Sequence, residues 1–275
     1  MICGAQLIQQ RLAGANLRIF TVPCLADNYA WVIQDVATGA LGVVDTPAGK
    51  PILAQIEKLG LPSDSGDFHR LTILNTHHHK DHTGGNQLIK DALGAYVVGP
   101  SKEKISAIDK PLVEGDIVRI GASTCRVIDL PGHTCGHIGY VFDDPGVVFV
   151  GDTMFSHGCG ALFEGSPAQM WKSLTKIMSL PESTLVFCAH EYTQANVMFG
   201  INLFPDHHEL RDIHAQVKSL RERGEQTVPS LLAQELRTNP FLRCRLPEVQ
   251  LELKKSTALE AFTYVRTNKD AWRSL

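Results

Sequence analysis

Residues 76–85 read Thr-His-His-His-Lys-Asp-His-Thr-Gly-Gly, and His77, His79, Asp81 and His82 within them form the pattern HxHxDH. Imidazole and carboxylate are side chains that hold divalent cations. His77 and His79 are two apart, so in extended chain they project to the same side. Asp81 and His82 follow as the chain turns and can aim at a second point, and Gly84 and Gly85 permit tight backbone there. Three further segments place a candidate ligand just past an apolar run: His133 in Pro-Gly-His-Thr, Asp152 in Gly-Asp-Thr and His190 in Ala-His-Glu-Tyr. Singly, each is weak, since a histidine after a strand is more often only hydrogen-bonded. Four strand ends converging on such residues form a pattern, because loops held by a rigid sheet are where function gathers. Seven donors are too many for one tetrahedral zinc and fit two cations. Without thiolate they suit Zn, Fe or Mn. A carboxylate can bridge a cation pair, which two-metal hydrolases hold about 3.5–4 Å apart.

The elements that must position these residues can be read from hydrophobic patterning. Short runs rich in Val and Ile predict strands over 17–22, 29–35, 41–45, 71–75, 95–98, 117–120, 124–130, 138–142, 146–150 and 184–188. Helical spacing predicts helices over 50–59, stopped by Gly60, and over 86–93. A third is predicted over 166–180, opened by a Ser166/Gln169 capping box with Pro167 at the first helical position. After residue 190 the strand signals largely stop. Leu210, Ile213, Val217 and Leu220 mark a helix ended by Gly224. Pro229 opens another expected to run to about 237, and Thr257 with Glu260 caps a last one carrying Leu259, Phe262 and Val265. The expectation is a catalytic unit over 1–190 and a helical unit over 191–275 that packs on it, since no low-complexity linker separates them.

Composition sets the outer limits. The chain has 275 residues, 44% hydrophobic and 20% charged, enough for one large domain or two modest ones. A formal net charge of -3 gives no global field toward nucleic acid or membrane. No apolar run reaches the ~18–20 residues that span a bilayer. The 7 Cys are odd in number, scattered and free of CxxC, which argues against a disulfide framework and points to a reducing compartment. A cytoplasmic location is therefore expected. A mitochondrial address is the other option, because residues 1–26 lack Asp and Glu and include Arg11 and Arg18, although Ser is absent there too.

With these motifs in place, the chain resembles the metallo-β-lactamase superfamily and, within it, the glyoxalase II (hydroxyacylglutathione hydrolase) family. The resemblance rests on Asp27-Asn28-Tyr29, the HxHxDH turn, Pro-Gly-His-Thr-x-Gly-His-Ile from Pro131 to Ile138, Gly151-Asp152-Thr153, Gly158-Cys159-Gly160, His190-Glu191-Tyr192-Thr193 and the helical tail. It implies an α/β (α+β) fold, the αββα sandwich, followed by a small C-terminal helical domain that binds substrate. It implies that His77, His79 and His133 hold one divalent cation, that Asp81, His82 and His190 hold the other, and that Asp152 bridges them. Zn is the expected metal, with Fe or Mn as options. The implied reaction is hydrolysis of S-D-lactoylglutathione to glutathione and D-lactate by a hydroxide that the two metals share, the second step of methylglyoxal detoxification. Asp152 and Asp81 take the catalytic roles, Asp81 as an orienter of the water. The implied partner is a small-molecule glutathione thioester, with neither nucleic acid nor membrane, acted on by a monomer.

The resemblance further assigns Phe163, Tyr192, Arg266 and Lys269 to the glutathione moiety. Read from spacing alone, Arg266 and Lys269 are a solvated pair three apart on one helix face. The loop departs from the family pattern after Gly158-Cys159-Gly160: Ala161 stands where a cation is usual, and Phe163 offers a ring without a hydroxyl. His157, in the same loop, is a possible substitute for that charge. Asp45, ending a strand, is placed to orient a ligand histidine, while His78, Lys80 and His137 read as hydrogen-bonded or solvated. The rival readings are a one-iron persulfide dioxygenase on the same fold, a thioesterase with a different acyl-glutathione preference, and a metal-stabilised binding module. The presence of Asp81, His82 and His190 favours two metals over one.

Overall fold

The structure is a computed structural model and describes residues 4–63, 66 and 68–272. In chain order the elements are α1 (Gly4–Arg11), β1 (Leu17–Cys24), β2 (Asn28–Asp35), β3 (Leu41–Val44), α2 (Gly49–Leu59), β4 (Leu71–Leu74), α3 (Lys80–Thr83), α4 (Asn86–Leu93), β5 (Tyr96–Pro100) and β6 (Lys110–Leu112). There follow β7 (Ile117–Ile120), β8 (Ser123–Asp129), β9 (Ile138–Phe142), β10 (Val147–Gly151), β11 (Met154–Phe155), β12 (Gly158–Cys159), α5 (Pro167–Met178) and β13 (Leu185–Cys188). The chain then runs through α6 (Thr193–Leu203), α7 (His208–Glu222), β14 (Ser230–Leu231), α8 (Leu232–Thr238), α9 (Pro247–Glu252) and α10 (Ala258–Ala271).

The described residues form two six-stranded sheets, ordered β1-β2-β3-β4-β5-β6 and β14-β13-β10-β9-β8-β7, and a small β11-β12 hairpin. Strands such as β4 and β10 are buried throughout and almost wholly apolar because both of their faces are covered. Between the sheets, Trp31 stands edge-on to Phe187 at 4.9 Å, and Phe187 meets Phe149 at 4.9 Å. On the outer face of the first sheet, Ile52 and Ile56 of α2 and Ile89 of α4 pack on Val32, Val43, Ile73 and Val97. Met170, Leu174 and Ile177 of α5 join the core with the second sheet. This is the expected αββα arrangement.

Strand direction explains why the ligand candidates meet. β3, β4 and β5 run parallel, so the ends of β3 and β4 fall on one edge. β8, β9 and β10 alternate in direction and β13 runs parallel to β10, so β8, β10 and β13 also end together. Hydrogen bonds join the sheets at this edge: Ile138 N donates to Thr76 O, Tyr140 Oη to Asn75 O and Tyr29 N to Ala189 O.

Several segments differ from the sequence expectation, among them β6, the β11-β12 hairpin and α9, which it did not include. Residues 4–11, given no element there, form α1, with Ile8 and Leu12 in the core and Gly4 N donating to Gln226 O. Pro229 does not open a helix: Ser230 and Leu231 pair with β13 as an edge strand, and the helix starts at Leu232. The Pro signal is outweighed there by the ladder hydrogen bonds a neighbouring strand offers. α6 was not foreseen, because its apolar residues lie on several sides and show no helical period. The division at residue 190 is crossed by β14 and by α10, whose Phe262 meets Trp171 of α5 at 5.5 Å. The six described cysteines are free, and only Cys135 among them is exposed. No helix among the described residues is long and apolar enough to cross a membrane.

Candidate metal centre

The strand-end residues gather into two three-residue clusters. His77, His79 and His133 bring their ring nitrogens within 4.8 Å of one another, and so do the ligand atoms of Asp81, His82 and His190. In the first cluster His79 Nδ1 lies 3.0 Å from His77 Nε2 and 3.1 Å from His133 Nε2. Imidazole nitrogens at the usual zinc distance and a tetrahedral angle lie about 3.3 Å apart, so this spacing fits a chelating set. In the second, Asp81 Oδ2 lies 3.5 Å from both His82 Nε2 and His190 Nε2. Asp152 stands between the clusters. Its Oδ1 is 3.4 Å from His82 Nε2, and its Oδ2 is 3.4 Å from both His133 Nε2 and His190 Nε2.

The rings are aimed by what lies behind them. His82 Nδ1 donates to Asp45 Oδ2 at 2.8 Å, His190 Nδ1 to Asp27 Oδ1 at 2.7 Å and His133 Nδ1 to the Ala161 carbonyl at 2.8 Å. Thr76 Oγ1 donates to Asp45 Oδ2, so it accepts from His77 Nδ1 at 3.0 Å. Each of these four rings thus carries its proton on Nδ1 and turns Nε2 to the centre. Asp45 does this from a left-handed backbone (φ 55°), which Asp tolerates better than most residues. Gly151 must be glycine, since a Cβ there would press on Thr76 Oγ1 and His137 Nε2.

Electrostatics match a cation site. Burial, with His82 nearby, holds His77 well below the usual histidine range, and burial also lowers His79 and His133, so these rings are neutral. His82, its Nε2 3.5 Å from Asp81 Oδ2, keeps Asp81 below the usual carboxylate range. Burial would raise Asp152, but His82 and His190 together hold it well below. Burial would lower His82 and His190, yet Asp152 outweighs it and both are raised, so a cation binding beside them displaces protons. His82 Nε2 and Asp152 Oδ1 are buried, 3.4 Å apart, and neither makes a hydrogen bond. A buried polar atom without a partner costs stability, and a cation between this pair would satisfy both. The donor set therefore fits two divalent cations.

The remaining sequence candidates divide. Phe163 is 69% exposed and its ring centroid lies 5.1 Å from that of His133. Tyr192, 37% exposed, stacks on His190 at 4.7 Å, so the two aromatics flank the centre. Lys269 Nζ is half-buried, 3.4 Å from Ala195 O and over the rings of Phe199 and Trp272. Arg266 departs from the solvated place that spacing alone gives it. It is 5% exposed, with Nη1 donating to Cys159 O and Gly160 O and Nη2 to Asp270 Oδ1. His157 does not replace the missing charge near Ala161; it is buried, with Ser156 Oγ 3.0 Å and Glu235 Oε1 3.8 Å from its Nδ1. His78 pairs with Glu164 at 2.7 Å, and His137 accepts from Asp152 N.

Sequence reasoning gave no role to Asp27 or Asn28, although the Asp-Asn-Tyr run after β1 was the available signal. Asn28 Nδ2 lies 3.2 Å from Asp81 Oδ2 and 3.4 Å from His190 Nε2, bracing the second cluster.

A two-sheet sandwich with paired His/Asp clusters on one strand edge defines a member of the metallo-β-lactamase superfamily, whose family model matches residues 71–190. Solved structures agree on the fold: ETHE1 from Myxococcus xanthus has a TM-score of 0.65 at 23% identity, covering 93% of this chain and 92% of that one. TTHA1623, crystallised in a di-iron-bound form, has 0.56 at 23% identity, covering 81% and 100%. Within the superfamily the chain belongs to the hydroxyacylglutathione hydrolase family. The model "Hydroxyacylglutathione hydrolase C-terminus" matches residues 191–272. The hydroxyacylglutathione hydrolase of Rhodospirillum rubrum is 45% identical over 260 residues, 93% of this chain and 99% of its own. That of Methylococcus capsulatus is 42% identical over 261 residues, 94% and 99% respectively.

Proposed function

We propose that this chain hydrolyses 2-hydroxyacyl-glutathione thioesters, S-D-lactoylglutathione above all, to glutathione and D-lactate, the second step of methylglyoxal detoxification. The observation that carries the reading is the pairing of two three-ligand clusters through Asp152, in a chain whose helical region matches the hydroxyacylglutathione hydrolase C-terminus. His77, His79 and His133 would hold one divalent cation, Asp81, His82 and His190 the other, and Asp152 both. Zinc suits this imidazole–carboxylate set best. Bound there, the cations would supply Lewis acidity toward the thioester carbonyl and toward a water. The chain's own part is positional. Asp81, ionised and partly open, accepts a hydrogen bond from the attacking water and orients it. Phe163 and Tyr192 wall the centre, and Lys269 offers its ammonium to a glutathione carboxylate. The water oxygen joins the carbonyl carbon and releases a proton to solvent, the carbon–sulfur bond breaks with its electron pair on sulfur, and the thiolate leaves. No nucleophilic side chain is needed: burial raises the Cys159 thiol to about 12. We read residues 1–190 as the catalytic unit, 191–275 as the substrate-binding unit, and the chain as a cytoplasmic monomer.

Protein purified without chelator should contain two cations per chain and hydrolyse lactoylglutathione. One iron per chain, with oxygen uptake on a glutathione persulfide and no thioester hydrolysis, would overturn this reading.

Two predictions test the substrate contacts. Burial and then Arg266 lower Lys269 to about 8, against the opposing pull of Asp270. The ammonium is present below that pH and lost above it. KM for a glutathione thioester should therefore rise about tenfold between pH 7 and 9, since a charged hydrogen bond contributes about 1.5–3 kcal/mol. Lys269→Arg should flatten that rise, and an unchanged profile in the variant would remove Lys269 from the site. Ala161→Arg should restore the cation that this loop lacks and lower KM by about tenfold or more. The Ala161 carbonyl that holds His133 survives the substitution, so an unchanged KM would show that the missing cation does not matter.

A further inference from the structure

A third group of ligand atoms lies beside the two clusters, on the rim of the centre. Those of His78, His79 and Glu164 fall within 4.8 Å of one another. His78 is the one histidine of the HxHxDH turn that neither cluster uses, and its Nε2 lies 2.7 Å from Glu164 Oε1. Glu164 follows Phe163 in the loop that walls the centre, and its other oxygen, Oε2, accepts from Cys135 N at 2.8 Å. With Gly165 N donating to Gly132 O, this bond holds the loop against the Pro-Gly-His-Thr turn, so the carboxylate is fixed beside the two histidines. The His78 and His79 ring centroids are 4.9 Å apart. His79 commits Nδ1 to the first cluster, 3.0 Å from His77 Nε2 and 3.1 Å from His133 Nε2, while its Nε2 makes no hydrogen bond among the described residues. The side chains of His78 and Glu164 are each 35% exposed, so a hydrated cation can reach them from solvent. Two imidazoles and a carboxylate, with a water in the fourth position, are a zinc-type donor set. The carboxylate offsets part of the cation's charge, and solvent screens its repulsion from cations in the inner clusters.

We propose that His78, His79 and Glu164 form a third, weaker site for a divalent transition cation, Zn2+ fitting best, and that filling it slows hydrolysis. His78 binds through Nε2 as the tautomer with its proton on Nδ1. His79 becomes a bridge: its Nε2 proton passes to solvent, and one ring then serves two cations. That cost makes the third site the weakest and disturbs the cation of the first cluster. The bound ion also occupies the lip beside Phe163, whose ring centroid lies 5.7 Å from that of His79. Substrate entering along Phe163 then meets the ion and its waters. Free zinc above the level that fills the inner pair thus restrains the enzyme. The inhibitory half rests on the proposed hydrolysis; the site itself does not.

The test uses the full, zinc-loaded chain in zinc-buffered solution at fixed pH. Bound zinc per chain is counted by equilibrium dialysis and elemental analysis as free Zn2+ is raised, and lactoylglutathione hydrolysis is followed over the same range. The parent chain should take up a third zinc, with hydrolysis falling as it binds. His78→Gln keeps a donor to Glu164, and Glu164→Gln keeps an acceptor for Cys135 N, so both should fold and hold two zincs. The third step should weaken in each by more than the ~10–100-fold that follows loss of a group standing behind a ligand. Hydrolysis in both should persist at zinc levels that stop the parent. Glu164→Gln lies outside the ligand turn and carries the test should His78→Gln disturb the inner pair. A parent that saturates at two zincs, or a third zinc kept with unchanged affinity in Glu164→Gln, would overturn the site. A third zinc that binds with hydrolysis unaltered would overturn its inhibitory role. If the parent turns over no thioester at any zinc level, the proposed function fails, while the zinc count still decides the site.

Discussion

Asp152→Ala is expected to abolish both cation pairing and thioester hydrolysis, leaving at most one tightly held cation per chain. Asp152 is the one side chain among the described residues placed within 3.5 Å of nitrogens from both clusters, reaching His82 through Oδ1 and His133 and His190 through Oδ2. Alanine removes the negative charge that opposes repulsion between two cations and leaves three ring nitrogens facing a gap. The activity loss should exceed the ~10–100-fold that follows removal of a residue standing behind a ligand. Asp152→Asn separates charge from shape. It keeps the volume, and the backbone N–H to His137 Nε2 persists, yet the asparagine carries no charge. Metal analysis and hydrolysis assays should show both variants deficient, with circular dichroism reporting the native fold for the asparagine form. Two cations and full activity in either variant would reject the site.

The reason this site could be read from sequence is that its chemistry is local to strand ends. HxHxDH, Gly-His-Thr, Gly-Asp-Thr and His-Glu-Tyr each follow an apolar run, and a sheet with those strands running the same way must bring their ends together. The residues behind the ligands were less legible. Asp45 reads from sequence as an orienter of a ligand histidine, but only the fold shows that this histidine is His82, 37 residues away, and that Asp27 serves His190 across 163. The burial of Arg266 is not legible in its spacing to Lys269, which suggests a solvated pair, but in its spacing to Phe262. Four residues after Phe262 and one after Val265, it falls beside the buried face of α10. Buried arginines are scarce enough that composition argued the other way. β14 and the β11-β12 hairpin are two-residue strands, too short for any alternation to register.

Asp45→Asn should weaken one cluster and largely spare the other. Asp45 is buried and accepts three hydrogen bonds: Thr76 N at 2.8 Å on Oδ1, and Thr76 Oγ1 at 2.7 Å and His82 Nδ1 at 2.8 Å on Oδ2. Asparagine has one carbonyl oxygen to serve both sides. If its amide nitrogen faces His82, the ring loses the acceptor that keeps its proton on Nδ1. The proton can then settle on Nε2, the atom needed for a cation. If the nitrogen instead faces Thr76 N, a buried backbone donor loses its partner at a cost of about 1–3 kcal/mol. Asparagine tolerates the left-handed backbone at this position about as well as aspartate, so strain does not explain a loss. The expected outcome is a roughly 10–100-fold weaker cation at Asp81, His82 and His190. His77, His79 and His133 should keep theirs more nearly intact, although Thr76 links Asp45 to His77 as well. Chelator titration should then show two separated phases where the parent chain shows them close together. Titrations that superimpose, with equal thermal stability, would mean that Asp45 does not set the His82 tautomer.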